Sequence, residues 1–414
     1  MSFVRSSANR TPIVDTVFGV AVRAKQDKAE NGDLVVDATI GSLFDEEGSF
    51  AAFDSVFDHY DAIDHRTKGA YAASYLGNPD FRTDVYDWLT QDTEVNLAHS
   101  VLATPGGSGA VATAFRDCLD PGETVIIPDI GWTSYEIMAS QNNLHALSYE
   151  VFEGDHFNIR GLKEAIGEVR KTQNRVVLVI NDPCHNPTGY SLSLDEWQAV
   201  VDLLNEAGKD GPVVLINDIA YIDYSSRGNE ARAYLSLFNN FNNQVMAVIA
   251  FSCSKLMTSY GLRCGAAVIL AKEQAAVDEA EVVFEKTARA VWSNIPNAAM
   301  ANFCWVVEHN RDAFLAEKQS YIDLLKQRSD LFLSEAKACG LETYPYKEGF
   351  FITVRMANDA DTARLHEALM NEHIYTVTVH NGIRIAVCSL PLRKIKGLAQ
   401  RIRTIKDQTI GKGL

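Results

Sequence analysis

The segment Ser252–Gly265, SCSKLMTSYGLRCG, places a lysine just after an apolar run and surrounds it with anion-binding groups. The apolar run, Val245–Phe251, is predicted to be a buried strand, where an ammonium group is costly to bury. Serines precede the lysine and an arginine follows it, and hydroxyl and guanidinium donors of this kind bind small anions. A desolvated lysine amine can attack a carbonyl carbon. The segment therefore predicts that Lys255 is a Schiff-base lysine beside a phosphate site.

Three more polar segments lie at the ends of predicted strands or at the start of a predicted helix. Asn186 follows the strand Arg175–Ile180 in Asn-Pro-Thr-Gly, which either forms an ordinary turn or places an amide donor in a ligand crevice. Asp218 follows the strand Val213–Asn217. A buried acid needs a partner, which is a helix N-terminus, a salt bridge or a heterocyclic nitrogen. Gly-Gly-Ser at 106–108 begins a helix and is a second candidate anion site.

The elements that must position these groups alternate along the chain. Short β-branched runs are separated by helical patterns such as Leu194–Ala207, which predicts an α/β fold with a mainly parallel sheet sandwiched by helices. Further strands are predicted at Thr124–Ile127 and Ala266–Leu270. After about residue 275 the pattern predicts a smaller α+β region, with a long helix at Asp312–Cys339, a helix at Asp361–Asn371, and strands at Phe351–Arg355, Tyr375–His380 and Ile383–Val387.

Composition argues against several functional classes. The 414 residues include 38 basic and 54 acidic side chains, and the net charge of −16 argues against nucleic-acid or anionic-membrane binding. No apolar run approaches the roughly 20 residues of a membrane span, and the first residues lack the apolar core of a secretory signal. Seven scattered cysteines without a C-x-x-C pair indicate a reducing compartment, and we expect the cytoplasm. The histidine spacing predicts no metal site.

Together these segments, in this order, resemble the class I aminotransferases, the aspartate and aromatic aminotransferase branch of the fold type I pyridoxal-phosphate enzymes. The resemblance is carried by S-x-S-K-x-x-x-x-x-G-x-R-x-G and by N-P-T-G, and it extends from about Asp37 to Leu390. It implies pyridoxal 5'-phosphate as cofactor. It also implies a large cofactor-binding domain at 51–310 and a small domain formed by 1–50 and 311–414, joined by the long helix near 312–339.

The resemblance implies a role for each matching residue. Lys255 would bond the cofactor and serve as the catalytic base, and Asp218 would pair with the pyridinium nitrogen. Tyr221 and Asn186 would donate to the phenolic oxygen. The residues that would hold the phosphate are Gly107, Ser108, Ser252, Ser254 and Arg263. Trp132 would stack on the ring, and with Asn186 it would also contact the substrate.

Four looser matches concern the substrate and a second subunit. Gly41 would close over the substrate, and Arg384 would bind its α-carboxylate. Tyr75 would reach the partner subunit's cofactor phosphate. Arg289 lies four residues before Ser293-Asn294 and would bind a distal carboxylate in the other subunit's site. The family's usual S-N-P-P is S-N-I-P here. A homodimer with shared active sites is therefore implied.

The leading hypothesis is an aminotransferase that moves the amino group of a dicarboxylic amino acid, most of all aspartate, to 2-oxoglutarate by a ping-pong mechanism. An aromatic amino acid as donor is the first alternative, because related enzymes move the distal arginine aside for aromatic rings. A β-lyase or decarboxylase on the same fold is another. A regulator built on this domain would carry an added DNA-binding module, for which we expect no room because the motifs begin within the first 45 residues.

Borohydride reduction of the cofactor-loaded protein should attach the cofactor covalently to Lys255, because this lysine alone lies within the anion-binding segment. Peptide mapping identifies the labelled residue. The control is Lys255→Ala, which should fold but acquire no label and no transamination activity. Label on any other lysine would contradict the assignment.

Overall fold

The computed structural model describes residues 3–12 and 18–411. The α-helices in this part are α1 (Phe18–Asn31), α2 (Asp54–Ala62), α3 (His65–Gly69), α4 (Pro79–Thr90), α5 (Gly106–Cys118), α6 (Ser134–Gln141), α7 (Ile159–Val169), α8 (Leu194–Ala207), α9 (Cys253–Leu256), α10 (Gln274–Val291), α11 (Asn297–His309), α12 (Arg311–Cys339), α13 (Asp359–Asn371), α14 (Leu392–Ile395) and α15 (Leu398–Ile410). The strands are β1 (Val36–Asp37), β2 (Ala98–Pro105), β3 (Thr124–Pro128), β4 (His145–Tyr149), β5 (Phe152–Glu153), β6 (His156–Phe157), β7 (Val176–Asn181), β8 (Val213–Asp218), β9 (Val245–Ser252), β10 (Cys264–Ala271), β11 (Phe351–Arg355), β12 (Ile374–Tyr375), β13 (Val377–Val379) and β14 (Gly382–Ala386).

A seven-stranded sheet with the order β2-β10-β9-β8-β7-β3-β4 organises the first two thirds of the chain. Strands β9, β8, β7, β3 and β4 are mutually parallel, whereas β10 is antiparallel to both β2 and β9. The predicted mainly parallel α/β fold is therefore confirmed. The apolar run Ala266–Leu270 was predicted as a strand and lies in β10, which is antiparallel. Its continuous apolar pattern therefore indicates that both faces of the strand are buried, but it does not indicate that the strand is parallel to its neighbours.

Helices cover both faces of this sheet, which explains why its central strands are apolar throughout. In β7, Val176, Leu178 and Ile180 enter one core cluster, while Val177 and Val179 enter the cluster on the opposite face. Burying each such side chain contributes about 1.5–3 kcal/mol. The helix α8, which follows β7, begins at a capping box formed by Ser193 and Glu196.

The C-terminal part builds a separate three-stranded antiparallel sheet, β11-β14-β13, and a parallel pair of β1 with β12. The prediction of one strand at Tyr375–His380 was wrong. Tyr375 ends β12, which pairs with β1, whereas Val377 begins β13, which pairs with β14. Buried Thr376 lies between them, and its hydroxyl is hydrogen-bonded to the His366 ring at 3.1 Å. Helix α13 begins two residues before its predicted start because Asn358 caps it, accepting a hydrogen bond from the Asp361 amide.

The distribution of cores suggests how the chain divides. Val36, Phe332, Ile352 and Ile402 belong to a core cluster that contains no strand of the seven-stranded sheet. We propose the division expected from the sequence, with 51–310 as the large domain and 1–50 with 311–414 as the small domain. Helix α12 carries buried residues of both regions, from Phe314 to Ala336, as a connector would.

Three chemical features of the described residues bear on function. None of their helices combines the length and apolar character needed to cross a bilayer. They contain no group of three or more metal-ligating side chains arranged to hold an ion. All seven cysteines lie in the described part of the chain and are free thiols.

Candidate active site at the strand ends

The order of the strands brings the polar segments to one edge of the sheet. Asn181, Asp218 and Ala250 are paired on neighbouring parallel strands β7, β8 and β9. The antiparallel β10 begins at the same edge, where Gly265 pairs with Ser252. Because parallel strands end together, the side chains that follow them face a common crevice.

The candidate anion site is assembled from α5, α9 and the loop before β10. Ser252 caps α9, and its hydroxyl accepts the Ser254 amide hydrogen at 3.2 Å. The Ser254 hydroxyl accepts from Arg263 Nη1 at 3.2 Å, and Arg263 Nη2 donates to the Pro105 carbonyl at 3.3 Å, just before the N-terminus of α5. The structure thus places predicted phosphate-binding side chains beside the free amides of a helix N-terminus.

Two glycines allow these elements to approach so closely. Gly106 has a φ of +70°, and a Cβ there would lie 2.5 Å from Arg263 Nη2. At Gly107 a Cβ would lie 3.3 Å from the Ser252 Cβ. Larger residues would crowd the Arg263 guanidinium and Ser252, so the glycines let the start of the helix lie directly against these two side chains.

Asp218 is buried at the end of β8 and is held by two donors. Its Oδ2 accepts from the Tyr135 hydroxyl at 2.6 Å, and its Oδ1 accepts from the Ala220 amide at 3.1 Å. Desolvation raises the pKa of Asp218, although both hydrogen bonds and nearby Lys255 oppose that effect. The carboxylate is therefore oriented by fixed donors in a poorly hydrated site.

Lys255 extends from α9 toward the same region. Its amine lies 5.4 Å from the centre of the Tyr221 ring and 5.5 Å from that of Tyr260. Desolvation lowers its pKa to about 8, and the opposing attraction of Asp218 only partly offsets this. At pH 7 roughly a tenth of an amine with this pKa is neutral and nucleophilic, far more than of an ordinary lysine.

Asn186 links the crevice to the C-terminal part of the chain. The main-chain N–H of Asn186 donates to Asn181 Oδ1 at 2.7 Å, and Asn181 Nδ2 donates to the main-chain carbonyl of Asp218 at 2.7 Å. The Asn186 side-chain oxygen accepts from Arg384 Nη1 at 3.1 Å. The side-chain NH₂ of Asn186 is thereby directed away from the guanidinium and is available to a ligand.

Arg384 is buried between the two parts of the chain. Its Nη2 donates to the Thr39 carbonyl at 2.7 Å, and its guanidinium lies 4.4 Å from the Phe351 ring centre. Its Nε is buried and has no hydrogen-bond partner within residues 3–12 and 18–411. Gly41 packs so tightly here that a Cβ would lie 2.7 Å from Phe351 Cζ. A buried guanidinium N–H that is not used by the protein can donate to an anionic ligand.

Trp132 and Tyr221 also lie in this region. Trp132 precedes α6 and packs edge-on against Tyr135, with ring centres 5.5 Å apart. Tyr221 is buried 5.5 Å from the Phe351 ring centre. Among the described residues, none accepts a hydrogen bond from the Tyr221 hydroxyl, which is consistent with a donor reserved for a ligand.

Tyr75 and Arg289 form a separate exposed cluster. The Arg289 guanidinium lies 4.9 Å from the Tyr75 ring centre, and its Nη1 donates to the Ser293 hydroxyl at 3.0 Å. The Asn294 side chain donates to the Ser74 carbonyl at 2.9 Å. The structure brings these two predicted residues together but places no contact between them and Lys255 within the described chain.

Four residues of the crevice were missed by sequence reasoning: Tyr135, Asn181, Tyr260 and Phe351. Tyr135 is three residues after Trp132, and this closeness in sequence was the available signal for a second aromatic side chain at the site. Tyr260 lies inside the lysine segment, and its hydroxyl accepts the Leu43 amide hydrogen at 3.1 Å. That contact spans 217 residues, and no local pattern predicts it.

Comparisons with known proteins identify the family of the chain. The family model for aminotransferase class I and II matches residues 59–402. The solved structure of an aminotransferase from Anaerococcus prevotii is 33% identical, with a TM-score of 0.94, and the match covers 98% of this chain and 99% of that one. An aromatic-amino-acid aminotransferase from Burkholderia pseudomallei, solved covalently bound to pyridoxal phosphate, has a TM-score of 0.79 at 22% identity, covering 98% and 100% of the two chains.

The curated relatives include both aspartate aminotransferases and aromatic-amino-acid aminotransferases. An aspartate aminotransferase of Pseudomonas aeruginosa is 29% identical over 50% of this chain and 50% of its own length. An aromatic-amino-acid aminotransferase of Escherichia coli is 23% identical over 75% of this chain and 81% of its own length. The chain spans about half the length of several curated relatives that it matches. Because the family model covers residues 59–402, well over half of its length, the chain belongs to the class I and II aminotransferases.

Proposed function

We propose that this protein is a pyridoxal-phosphate-dependent aminotransferase that moves the amino group of a dicarboxylic L-amino acid, most of all aspartate, to 2-oxoglutarate. The observation that carries the proposal is the meeting of Lys255, Asp218 and Arg384 around one crevice, where the lysine pKa is lowered to about 8. Its family membership supports the reaction class. A reducing compartment, proposed to be the cytoplasm, suits its seven free thiols.

The groups at the strand ends fit the cofactor in their chemistry. Gly106, Gly107, Ser254 and Arg263 would suit a phosphate group, because they combine helix amides, a hydroxyl and a guanidinium. Asp218 would pair with the ring nitrogen, and Tyr221 and Asn186 would donate to the phenolic oxygen. Trp132 would stack on the ring. When bound, pyridoxal phosphate supplies an electron sink for the carbanion formed at the substrate Cα.

The chain's own groups then hold and move protons. Lys255 would hold the cofactor through its side-chain amine, and once the substrate amine has taken its place the freed Lys255 amine would be positioned to take the Cα proton. Tyr135 and the Ala220 amide donate to Asp218 and thereby favour its ionised form, which would pair with a protonated ring nitrogen. The surrounding apolar atoms exclude water, which strengthens each of these interactions.

Arg384 would bind the substrate α-carboxylate through its unpaired Nε and an Nη group. Asn186 and the Thr39 carbonyl fix the plane of the guanidinium, so the carboxylate meets a fork of defined orientation. Gly41 leaves the main chain close to this point, so that the N-terminal segment can cover the substrate.

The substrate's distal carboxylate would be bound by Arg289 of a second copy of the chain. Tyr75 and Arg289 are exposed, and the exposed apolar residues Val282, Val283 and Val291 lie on the same helix or at its end. A two-fold dimer through this face would bury these apolar groups and give each site one arginine from the partner. The alternative donor is an aromatic amino acid. Among the described residues Arg289 contacts the Ser293 hydroxyl and the Tyr75 ring, and an apolar substrate side chain could displace an arginine held in this way.

Tyr135→Phe should destabilise the protein because it leaves a buried carboxylate oxygen of Asp218 without a donor. We expect a loss of about 1–3 kcal/mol in the free energy of unfolding, measured by denaturant titration of the cofactor-free protein. A double-mutant cycle with Asp218→Asn should give a coupling energy above about 0.5 kcal/mol.

The matched control is Tyr149→Phe, which removes a buried hydroxyl that donates to the Val179 carbonyl at 3.2 Å. It should show no coupling to Asp218→Asn. Equal coupling energies in both cycles would mean that Tyr135 is an ordinary core residue.

Inactive Lys255→Ala and Arg289→Ala subunits should recover activity when combined in one dimer. One of the two sites in such a hybrid contains both the lysine and the partner's arginine. The measurement is transamination by isolated heterodimers, compared with each homodimer. Inactive heterodimers would refute the shared site.

Arg289→Leu should lower kcat/KM for aspartate and glutamate by about 100-fold or more, because a charge-assisted bidentate contact of about 3 kcal/mol is lost. Values for phenylalanine and tyrosine should change much less, since an apolar side chain gains nothing from the guanidinium. The control Arg116→Leu removes another exposed helix arginine and should affect neither. An unchanged ratio of the two kcat/KM values would favour the aromatic alternative.

A further inference from the structure

Three segments that carry site residues meet at one buried carboxylate, that of Glu348. The first is 184–191, which carries Asn186, and the second is 221–227, which begins with Tyr221. The third is 346–353, which carries Glu348 and Phe351. They come from widely separated parts of the sequence, so no local interaction fixes their relative positions.

Glu348 receives hydrogen bonds from both of the other segments. Its Oε1 accepts from the Ser191 hydroxyl at 2.6 Å and from Arg227 Nη2 at 3.0 Å. Its Oε2 accepts from the Ser225 hydroxyl at 2.7 Å and from the Ser226 amide and hydroxyl at 2.9 and 3.1 Å. We call these residues the Glu348 cluster. In each of these five bonds the partner donates and the carboxylate accepts.

The cluster requires an anion. Glu348 is 5% exposed, and burial alone would raise its pKa; the donated bonds of Ser191 and Ser225 and the charge of Arg227 lower its pKa below the ordinary value instead. An amide in its place would turn an NH₂ group toward donors. The ionised form is thus specified by the geometry of its neighbours.

Backbone contacts extend the same junction. The amides of Lys347 and Glu348 both donate to the Gly189 carbonyl, at 2.8 and 2.9 Å. The Thr353 hydroxyl donates to the Pro187 carbonyl at 2.7 Å. The Asn-Pro-Thr-Gly loop is therefore hydrogen-bonded to the segment 346–353 both before and after Phe351, where the strand begins.

The residues just after Glu348 contact the crevice directly. The Phe350 and Phe351 rings lie 5.2 and 5.5 Å from the Tyr221 ring centre, and the Arg384 guanidinium rests 4.4 Å from the Phe351 ring centre. A shift of the segment would move Phe351, and with it the support under Arg384.

We propose that Glu348 is a positioning residue for substrate binding: by joining the three segments it fixes Phe351 beneath Arg384 and Tyr221, and so sets the orientation of the α-carboxylate fork. The inference rests on the proposed function, since it assigns the affected ligand as an α-carboxylate. Glu348 itself touches neither substrate nor cofactor in this scheme, and acts through Phe351.

The test compares Glu348→Gln with the matched control Glu335→Gln in the cofactor-loaded full chain. Glu335 is a carboxylate of α12 that accepts the Gly397 amide hydrogen at 2.9 Å, outside the three segments. Amide hydrogen exchange is followed in the three segments and in strands β7 and β8, and KM and kcat are measured for an amino acid and an oxo acid.

For Glu348→Gln we expect exchange to rise at least about tenfold in all three segments, with β7 and β8 unchanged. KM for both substrates should rise on the order of 10- to 100-fold, with kcat changing less than about threefold, because the carboxylate fork serves both substrates. Glu335→Gln should reproduce neither effect, and Glu348→Asp, which keeps the charge, should restore part of the wild-type KM.

If Glu348→Gln does not fold, Ser225→Ala removes one donor and should shift exchange and KM in the same direction by a smaller factor. Equal increases of exchange in β7 and β8, or an unchanged KM despite loosened segments, would overturn the proposal. A wild-type chain without transamination would refute the proposed function, while the exchange measurement would still decide whether Glu348 joins the three segments.

Discussion

The site depends on keeping an amine and a carboxylate close together where water is scarce. Lys255 and Asp218 both follow central strands of a sheet that is covered on both faces, so desolvation lowers the pKa of the lysine and raises that of the acid. Such a pair is stable only if surrounding donors keep the carboxylate ionised. Tyr135 and the Ala220 amide favour the ionised carboxylate, and the charge of Asp218 attracts the protonated lysine.

The same constraint explains why the sheet contains one reversed strand. Strand β10 separates β9 from β2, and its first residues pair with the ends of both. A helix N-terminus, from α5, and the serines of α9 thereby flank the Arg263 loop. In a purely parallel arrangement the loop before this strand would lie at the opposite edge. The antiparallel strand thus brings the cationic loop to the edge where the lysine already lies.

The sequence was sufficient for the fold class and for the residues that follow each central strand, because strand burial and local motifs are both short-range signals. Helix Leu194–Ala207 and strand Phe351–Arg355 were predicted at their observed bounds. Strands β2 and β4 were not predicted, since polar residues such as His99 and His145 interrupt their apolar pattern. The division of Tyr375–His380 between two sheets depends on which partner strand lies alongside, and this is a tertiary property.

Residues that act at a distance in sequence were the hardest to predict. Tyr260 bonds Leu43, and Glu348 bonds Ser191 and Ser225, and in neither case does a local motif mark the partner. Such contacts were visible only after the chain was folded. They share one property: each joins a segment of the proposed small domain to a loop of the proposed large one.

The exposed Arg289 differs from these buried groups because fewer contacts restrain its side chain. Inside the chain, Arg384 is fixed by Asn186 and by a backbone carbonyl, whereas Arg289 has one hydroxyl and one aromatic face as partners. A buried fork of fixed orientation suits the α-carboxylate, which every amino acid and oxo acid substrate presents. A loosely held, exposed cation can adapt to the side chain, which is the part that differs between substrates. We therefore propose that the α-carboxylate is recognised inside the subunit by a tightly held arginine, and the side chain across a dimer interface by a loosely held one.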